Sequence, residues 1–163
     1  MNQTTHHVTH CAQTSTSRLR LAVVCSSWHS EIVHKARDSL LDELSARGWS
    51  SEHVDLFDVP GAFEIPLYAK RLARTKKYCA IIACGFVVDG GIYQHEFVSA
   101  AVINALMQVQ LETDVPVFSA VLTPKNFHEH GEHQRFFAQH METKGAEVAA
   151  ACMQTLDALK LAT

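Results

Sequence analysis

The sequence predicts an α/β fold, a three-layer α-β-α sandwich in which helices cover both faces of a four-stranded, mostly parallel sheet. Short apolar segments rich in β-branched residues alternate with amphipathic segments along the chain, which is typical of β-α-β units. The third apolar segment, residues 78–88, is apolar along its whole length, as a strand covered on both faces is. A length of 163 residues fits one domain with a substantial core.

The elements follow in order from their patterns. Apolar residues at three-to-four spacing from Val33 to Leu44 indicate the first helix, and Gly48 stands where a C-cap belongs. Pro66 fits the second helix only because it lies in the first turn. Gly145 is expected to interrupt the last helix. The expected strands are 19–25, 54–57, 78–88 and 115–122, and the expected helices are 30–47, 63–74, 93–112 and 132–161.

Composition limits the possible functions. The chain has 14 Lys plus Arg and 17 Asp plus Glu, a net charge of −3, which argues against a nucleic-acid partner. Its longest apolar run, residues 79–88, is well short of the roughly 18 residues that cross a membrane. The cysteines are odd in number and lack CxxC spacing, so we expect reduced thiols in a cytoplasmic protein. Residues 1–17, rich in Ser, Thr and His, are predicted to be a disordered tail before a single domain at 18–163.

Ligands of a parallel α/β sheet bind at the carboxyl ends of the strands, which makes four loops candidates. The first carries Trp28, either a cap over a neighbouring helix or a platform for a planar heterocycle. The second leads to Glu64 in the first turn of a helix, where a carboxylate either complements the helix dipole or holds hydroxyl groups of a ligand. The candidate loops are 26–29, 58–63, 86–95 and 119–133.

The third loop joins a buried strand to a helix through Gly90-Gly91. Exposed backbone N–H groups at such a junction favour an anion, commonly phosphate. Neither a G-x-G-x-x-G nor a Walker pattern is present, so dinucleotides and nucleoside triphosphates are not expected. His95, at the start of the helix, is either a general acid or base or an ordinary surface histidine.

The fourth loop and the helix after it carry Ser119 and several histidines. His128, His130 and His133 resemble a metal cluster in their spacing, but no cysteine lies nearby and no H-E-x-x-H is present. We therefore expect uncharged hydrogen-bonding groups here and no metal. The cations nearest to them in the sequence are Arg135 and Lys144.

Taken together, the loops resemble those of the lumazine synthase family, over about residues 19–159. The shared motifs are Pro60-Gly61-Ala62-Phe63-Glu64-Ile65-Pro66, Gly85-Phe86-Val87-Val88-Asp89-Gly90-Gly91 before His95, Val115-Pro116-Val117, Val121-Leu122-Thr123 and Lys144-Gly145-x-Glu147. Trp28-His29 and Gly91-Ile92-Tyr93 are similar to the subgroup that forms decamers. The resemblance implies a flavodoxin-like sheet with strand order 2-1-3-4.

The resemblance also implies a transferase of riboflavin biosynthesis that needs no cofactor. In that reaction 5-amino-6-(D-ribitylamino)uracil condenses with 3,4-dihydroxy-2-butanone 4-phosphate, phosphate and water leave, and 6,7-dimethyl-8-ribityllumazine forms. Holding two reactants together and moving protons would supply the catalysis. The family assembles pentamers, some of them paired face to face, so a homo-oligomer is expected.

Residue roles are implied by the same motifs. His95 would transfer protons, and Gly91, Ile92 and His133 would bind phosphate. Ser119 and His133 would be contributed by a neighbouring subunit. The residues implied for the pyrimidine and ribityl groups are Trp28, Ala62, Phe63, Glu64, Phe86, Val87, Val88 and Ser119.

The chain departs from the family pattern within these motifs. The departures are Asp89 in place of Arg, Ile92 and Tyr93 near a usual Thr, Ser119 in place of an aromatic residue, and His133 in place of the Arg that grips phosphate. Because imidazole lacks the two-pronged donor geometry of Arg, these departures predict weak phosphate-substrate binding, or compensation by Arg135 or Lys144. They also leave an alternative open, a flavin- or lumazine-binding oligomer with weak or no turnover.

Overall fold

The computed structural model describes residues 20–92, 94–128 and 130–162, and the predicted tail at 1–17 lies outside them. Strands and helices alternate along the chain as predicted. They are β1 (Arg20–Ser26), α1 (Ser30–Ala46), β2 (Val54–Val59), α2 (Ile65–Arg74), β3 (Tyr78–Phe86), α3 (His95–Thr113), β4 (Val117–Leu122) and α4 (Gly131–Ala162). Short 3-10 turns at Ser51–His53 and Ala62–Glu64 lead into β2 and α2. Among the described helices, none combines the length and apolar character needed to cross a membrane.

All four strands are parallel, in the order β2-β1-β3-β4. This confirms the predicted α/β sandwich and its strand order. Alternate residues of the central strands β1 and β3 point into two separate cores. α1 and α4 cover the core that contains Leu21, Val23 and Ile82, whereas α2 and α3 cover the core that contains Val24 and Ile81.

The chain leaves all four strands at one edge of the sheet. β3 ends at Phe86, slightly earlier than predicted, because Leu122 is the last residue of β4. The Val87 N–H still donates to the Leu122 carbonyl oxygen, 2.9 Å away, but no further β4 residue is available to pair with Val88. The backbone then turns through Gly90 and Gly91 before α3 begins at His95.

The expectation that Gly145 interrupts the last helix is wrong, since α4 runs without a break from Gly131 to Ala162. A Cβ built on Gly145 would lie 2.2 Å from the Ala36 carbonyl oxygen of α1. This glycine therefore serves the close approach of α1 and α4 and does not end a helix. The close packing of α1 and α4 requires a glycine here, and this requirement outweighs the low helix propensity of glycine.

We predict that Gly145→Ala destabilises the fold. The added methyl group has no room beside the Ala36 carbonyl, and overpacking of this kind costs about 1–3 kcal/mol. Gly131→Ala is the matched control, because a Cβ there would find only Arg135 Nη2, 4.0 Å away. Thermal and urea unfolding of both variants measures the effect. Equal stability of Gly145→Ala and the wild type would contradict the close contact between α1 and α4.

A polar cluster fixes the strands at the opposite, amino-terminal edge of the sheet. Arg20 and Asp55 form an ion pair, in which Arg20 Nε donates to Asp55 Oδ2 at 3.1 Å. Tyr78 Oη donates to the same oxygen at 2.8 Å, and Lys77 Nζ lies 3.0 Å from it. The Arg20 guanidinium holds the pKa of Asp55 well below its usual range. The cluster thereby joins β1, β2 and β3 near their first residues.

We predict that Asp55→Asn lowers stability at neutral pH and flattens its dependence on acid. A lowered native pKa stabilises the fold above the unfolded value of about 4 and loses that effect as the pH falls below it. The unfolding midpoint of Asp55→Asn should lie about 2–4 °C below that of the wild type at pH 7, and the gap should narrow toward pH 3. Asp58→Asn on the same strand, with its side chain 63% exposed, is the control. A gap that does not change with pH would show that the carboxylate charge is not the stabilising feature.

Candidate active site

Trp28 lies at the carboxyl end of β1 with most of its ring open to solvent. The backbone N–H of Trp28 donates to the Pro60 carbonyl oxygen at 3.2 Å. The backbone N–H of Ser27 donates to the Val59 carbonyl oxygen at 2.8 Å. These bonds join the first candidate loop to the second. One side of the indole covers Gly61, where a Cβ would lie 3.1 Å from Trp28 Cε3 and Cζ3. Trp28 is 68% exposed, which leaves most of its ring surface open to a ligand.

Glu64 is held at the same turn. Its Oε2 accepts the Gly61 N–H at 2.9 Å, which closes the 3-10 turn that precedes α2. The carboxylate is otherwise exposed and remains available to accept hydroxyl groups. Phe63 beside it is 63% exposed, whereas Ala62 is buried. The turn at Gly61 thus carries the open indole ring of Trp28, the exposed ring of Phe63 and the acceptor oxygens of Glu64.

The residues that end β3 turn their side chains inward. Phe86 is buried in an aromatic group with His29, Phe127 and Phe137, at ring-centroid distances of 5.6, 5.1 and 5.5 Å. The Val87 side chain belongs to the opposite core. Any contact of Phe86 and Val87 with a ligand is therefore through their backbone, which is the contact that the family resemblance implies. For Val88 the structure shows partial burial against the core of α1 and α4.

His95 opens α3 as a buried imidazole that lacks a hydrogen bond. It is 5% exposed, and its Nδ1 has no hydrogen-bond partner among the described residues. Glu96 Oε2 and Asp89 Oδ2 approach Nδ1 no closer than 3.5 and 3.9 Å. The side chain lines an open cleft of about 680 Å³. Because a buried polar atom without a partner is costly, this nitrogen is a candidate to bind a ligand or transfer a proton.

The loop implied for phosphate is occupied in part by its own carboxylate. Gly91 has φ of +75°, a conformation that favours glycine. Its N–H donates to Asp89 Oδ1 at 3.4 Å, so a carboxylate stands where an anion would accept the same hydrogen. Ile92 follows with 88% of its side chain exposed. The structure thus places an acidic and an apolar side chain at the predicted phosphate loop.

Ser119 and His133 make no direct polar contact with Trp28, Glu64 or His95 within the described ranges. Ser119 is exposed within β4, and its Oγ accepts the Val121 N–H at 3.3 Å. The His133 ring, exposed near the start of α4, lies 5.5 Å from that of His128. In residues 20–92, 94–128 and 130–162, no hydrogen bond or ion pair joins either residue to Trp28, Glu64 or His95.

Sequence reasoning missed Lys125, which lines the cleft with His95. Its position in the fourth candidate loop was a usable signal, because it is the first cation after β4. The two cations predicted to compensate for His133 have other partners. Lys144 pairs with Glu147 at 2.6 Å, and Arg135 Nε donates to the Gly131 carbonyl oxygen at 3.3 Å. No set of three or more His, Cys, Asp or Glu side chains in the described part of the chain is arranged to hold a metal ion.

Comparison with known proteins identifies the family of this chain. Residues 18–160 match the family model described as 6,7-dimethyl-8-ribityllumazine synthase. This chain belongs to the 6,7-dimethyl-8-ribityllumazine synthase family. The match confirms the resemblance predicted from the loop motifs, and the parallel sheet with helices on both sides is consistent with the fold of that family.

Named relatives cover most of the chain. A 6,7-dimethyl-8-ribityllumazine synthase of Rhodococcus erythropolis is 56% identical over 141 residues, 86% of this chain and 91% of the relative. A protein named 6,7-dimethyl-8-ribityllumazine synthase 2 of Bradyrhizobium diazoefficiens is 57% identical over 84% of this chain and 82% of its own length. Another of that name, from Pseudomonas syringae pv. tomato, is 50% identical over 86% of this chain and 83% of its own length.

Proposed function

We propose that this protein is a transferase of riboflavin biosynthesis that makes 6,7-dimethyl-8-ribityllumazine. It condenses the 5-amino group of 5-amino-6-(D-ribitylamino)uracil with the ketone of 3,4-dihydroxy-2-butanone 4-phosphate. One water leaves as the imine forms, phosphate is eliminated, and a second water leaves as the ribityl-bearing nitrogen closes the ring. Family membership supports this reaction. The observation in the site that carries it is the buried imidazole of His95, whose Nδ1 has no hydrogen-bond partner in the described part of the chain, at the sheet edge that also holds Trp28 and Glu64.

The turn around Gly61 is the proposed pyrimidine and ribityl subsite. The open indole of Trp28 would stack on the pyrimidine ring, with Phe63 at its edge. The Glu64 carboxylate, positioned by the Gly61 N–H, would accept hydrogen bonds from hydroxyl groups of the ribityl chain. Ala62 and the backbone of residues 86–88 would complete the subsite.

His95 is the proposed proton carrier. The reaction needs a base for the attacking amine and for the carbon acid next to the imine, and an acid for the departing hydroxyl groups. One imidazole can do both in turn, because it accepts a proton at one step and returns it at the next. No metal or redox group is required by this chemistry, since the amine is itself the nucleophile and phosphate is a good leaving group.

A binding protein with little turnover is the second candidate. It is favoured by one observation, the Asp89 carboxylate that accepts the Gly91 N–H at the phosphate loop. Such a protein would bind lumazine or riboflavin at Trp28 and form no product. The two candidates differ in a single measurable property, which is turnover of the two substrates.

We predict that two variants act on different kinetic constants. His95→Gln should lower kcat by about 100-fold or more, because general acid–base catalysis is lost. Trp28→Leu should raise the KM for the pyrimidine by about 3- to 10-fold, because a stacking surface is lost. Lumazine absorbance and fluorescence follow the reaction. His53→Gln, at the amino-terminal edge before β2, is the control. A wild type that binds riboflavin but makes no lumazine would establish the binding protein instead.

The same proposal includes a homo-oligomer, a pentamer or two pentamers face to face. α3 leaves large apolar side chains exposed, with Phe97 72% and Leu111 70% accessible. These two lie four turns apart on one side of the helix. An exposed apolar helix face of this kind marks an interaction surface. Ser119 and His133, which are not among the described lining residues of the His95 cleft, would then complete the site of a neighbouring subunit.

We predict that the wild type sediments as a pentamer or decamer, and that Leu111→Lys shifts it toward smaller species. A charge on the exposed face of α3 would have to be buried in the ring, at a cost of several kcal/mol. Leu159→Lys, at a 46% exposed position of α4, is the control. Analytical ultracentrifugation measures both. A wild type that remains monomeric at micromolar concentration would refute the shared site.

A cytoplasmic location is also part of the proposal. Cys25, Cys79, Cys84 and Cys152 are free thiols, as a reducing compartment keeps them. Cell fractionation with an antibody against the chain tests it, and recovery in a secreted or periplasmic fraction would refute it.

A further inference from the structure

The cleft beside His95 has two chemically different walls. Helix α3 supplies one wall, from His95 and Glu96 to Asn104, and the segment after β4 supplies the other, with Thr123 and Lys125. The cleft holds about 680 Å³ and opens to solvent, which is ample for a small phosphorylated sugar derivative. Lys125 is the single lysine or arginine among its lining residues as described.

Lys125 has no side-chain partner among the described residues, unlike several other lysines. Lys35, Lys70 and Lys144 pair with carboxylates at 3.5, 2.5 and 2.6 Å. Within the described ranges, Lys125 makes no ion pair and no hydrogen bond. Its ammonium group, on a long flexible chain, is therefore free to meet an anion that enters the cleft.

Two polar features of the opposite wall, formed by α3, lack side-chain partners. The His95 Nδ1 is buried and has no hydrogen-bond partner in the part of the chain that the structure describes. α3 begins at His95, and the preceding Gln94 provides no side-chain cap. The first backbone N–H groups of the helix therefore lack a side-chain acceptor, and the positive end of the helix dipole faces the loop.

We propose that Lys125 is the cation that binds the phosphate of the butanone substrate, in the cleft against His95. The naming of this substrate rests on the proposed function. A phosphate needs a group that is charged throughout the working pH range and has several donors, and lysine meets both needs. Lys125 thereby takes the part for which the sequence offered His133, Arg135 and Lys144. The Thr123 hydroxyl group, which also lines the cleft, is available to donate to the same phosphate.

The carboxylate of Glu96 defines where in the cleft the phosphate binds. Its Oε2 lies 3.5 Å from His95 Nδ1, so its negative charge belongs to the α3 wall near the imidazole. A phosphate there would be repelled. The phosphate therefore binds on the side of Thr123 and Lys125, with the carbon chain of the substrate directed toward His95.

Kinetics with both substrates test the proposal in the full-length chain. Lys125→Met should raise the KM for the butanone phosphate by about 10- to 100-fold, which is the loss of a hydrogen bond to a charged group. The KM for the pyrimidine should stay unchanged. Lys125→Arg should keep most of the wild-type affinity for the butanone phosphate. Lys35→Met, which removes a surface lysine paired with Glu142, is the control and should behave as the wild type.

The outcomes separate this inference from the proposed function. An unchanged phosphate-substrate KM in Lys125→Met, or the same rise in Lys144→Met, would overturn the assignment while lumazine synthesis by the wild type still stood. If the wild type makes no lumazine, inorganic phosphate titrated against the wild type and Lys125→Met in a 31P NMR experiment still decides. Weaker phosphate binding by the variant would support the site, and equal binding would refute it.

Discussion

Burial of β3 on both faces is the constraint from which the rest of the structure follows. All but one of its residues, from Tyr78 to Phe86, are buried, so helices must cover the sheet on both sides. A parallel sheet permits this only through crossovers that return the chain to the amino-terminal edge after every strand. Each strand therefore ends at the same edge. Trp28, Glu64 and His95, which are far apart in the sequence, come to one edge of the molecule for this reason.

A polar cluster at one edge of the sheet stabilises the fold, whereas the opposite edge carries the candidate site. At the amino-terminal edge, Arg20, Asp55 and Tyr78 satisfy one another across three strands. At the carboxyl-terminal edge, His95 Nδ1 lacks a hydrogen-bond partner among the described residues, and the Trp28 ring is exposed. Unsatisfied polar atoms and open aromatic surface cost stability unless a ligand or a second subunit covers them. The open ring of Trp28 and the buried nitrogen of His95 together therefore favour the carboxyl-terminal edge as the place where a ligand binds.

The fold could be predicted from the sequence because hydrophobic periodicity and burial are visible within each single segment. Contacts between distant elements are not visible there. The apolar run of β3 and the helical spacing from Val33 to Leu44 each carry their own signal, and the family motifs supplied the strand order. Gly145 could not be interpreted correctly, because the Ala36 carbonyl that excludes a Cβ belongs to another helix. The same limit applies to the site. The loops offered candidate residues, but the inward turn of Phe86 and the shared cleft of His95 and Lys125 appear only after folding.

Charge balance around His95 explains how this chain can differ from its family's motif and still bind a phosphate. Asp89 accepts the Gly91 N–H, and Glu96 stands beside the imidazole, so the loop and the first turn of α3 are more acidic than a phosphate loop should be. A dianion that used the Gly91 N–H would have to displace Asp89 first. A side-chain cation on the other wall of the cleft removes that conflict, because it attracts the phosphate away from both carboxylates. In the proposed arrangement, the carboxylates stand beside the imidazole, and Lys125, which has no ion pair within the described ranges, receives the anion.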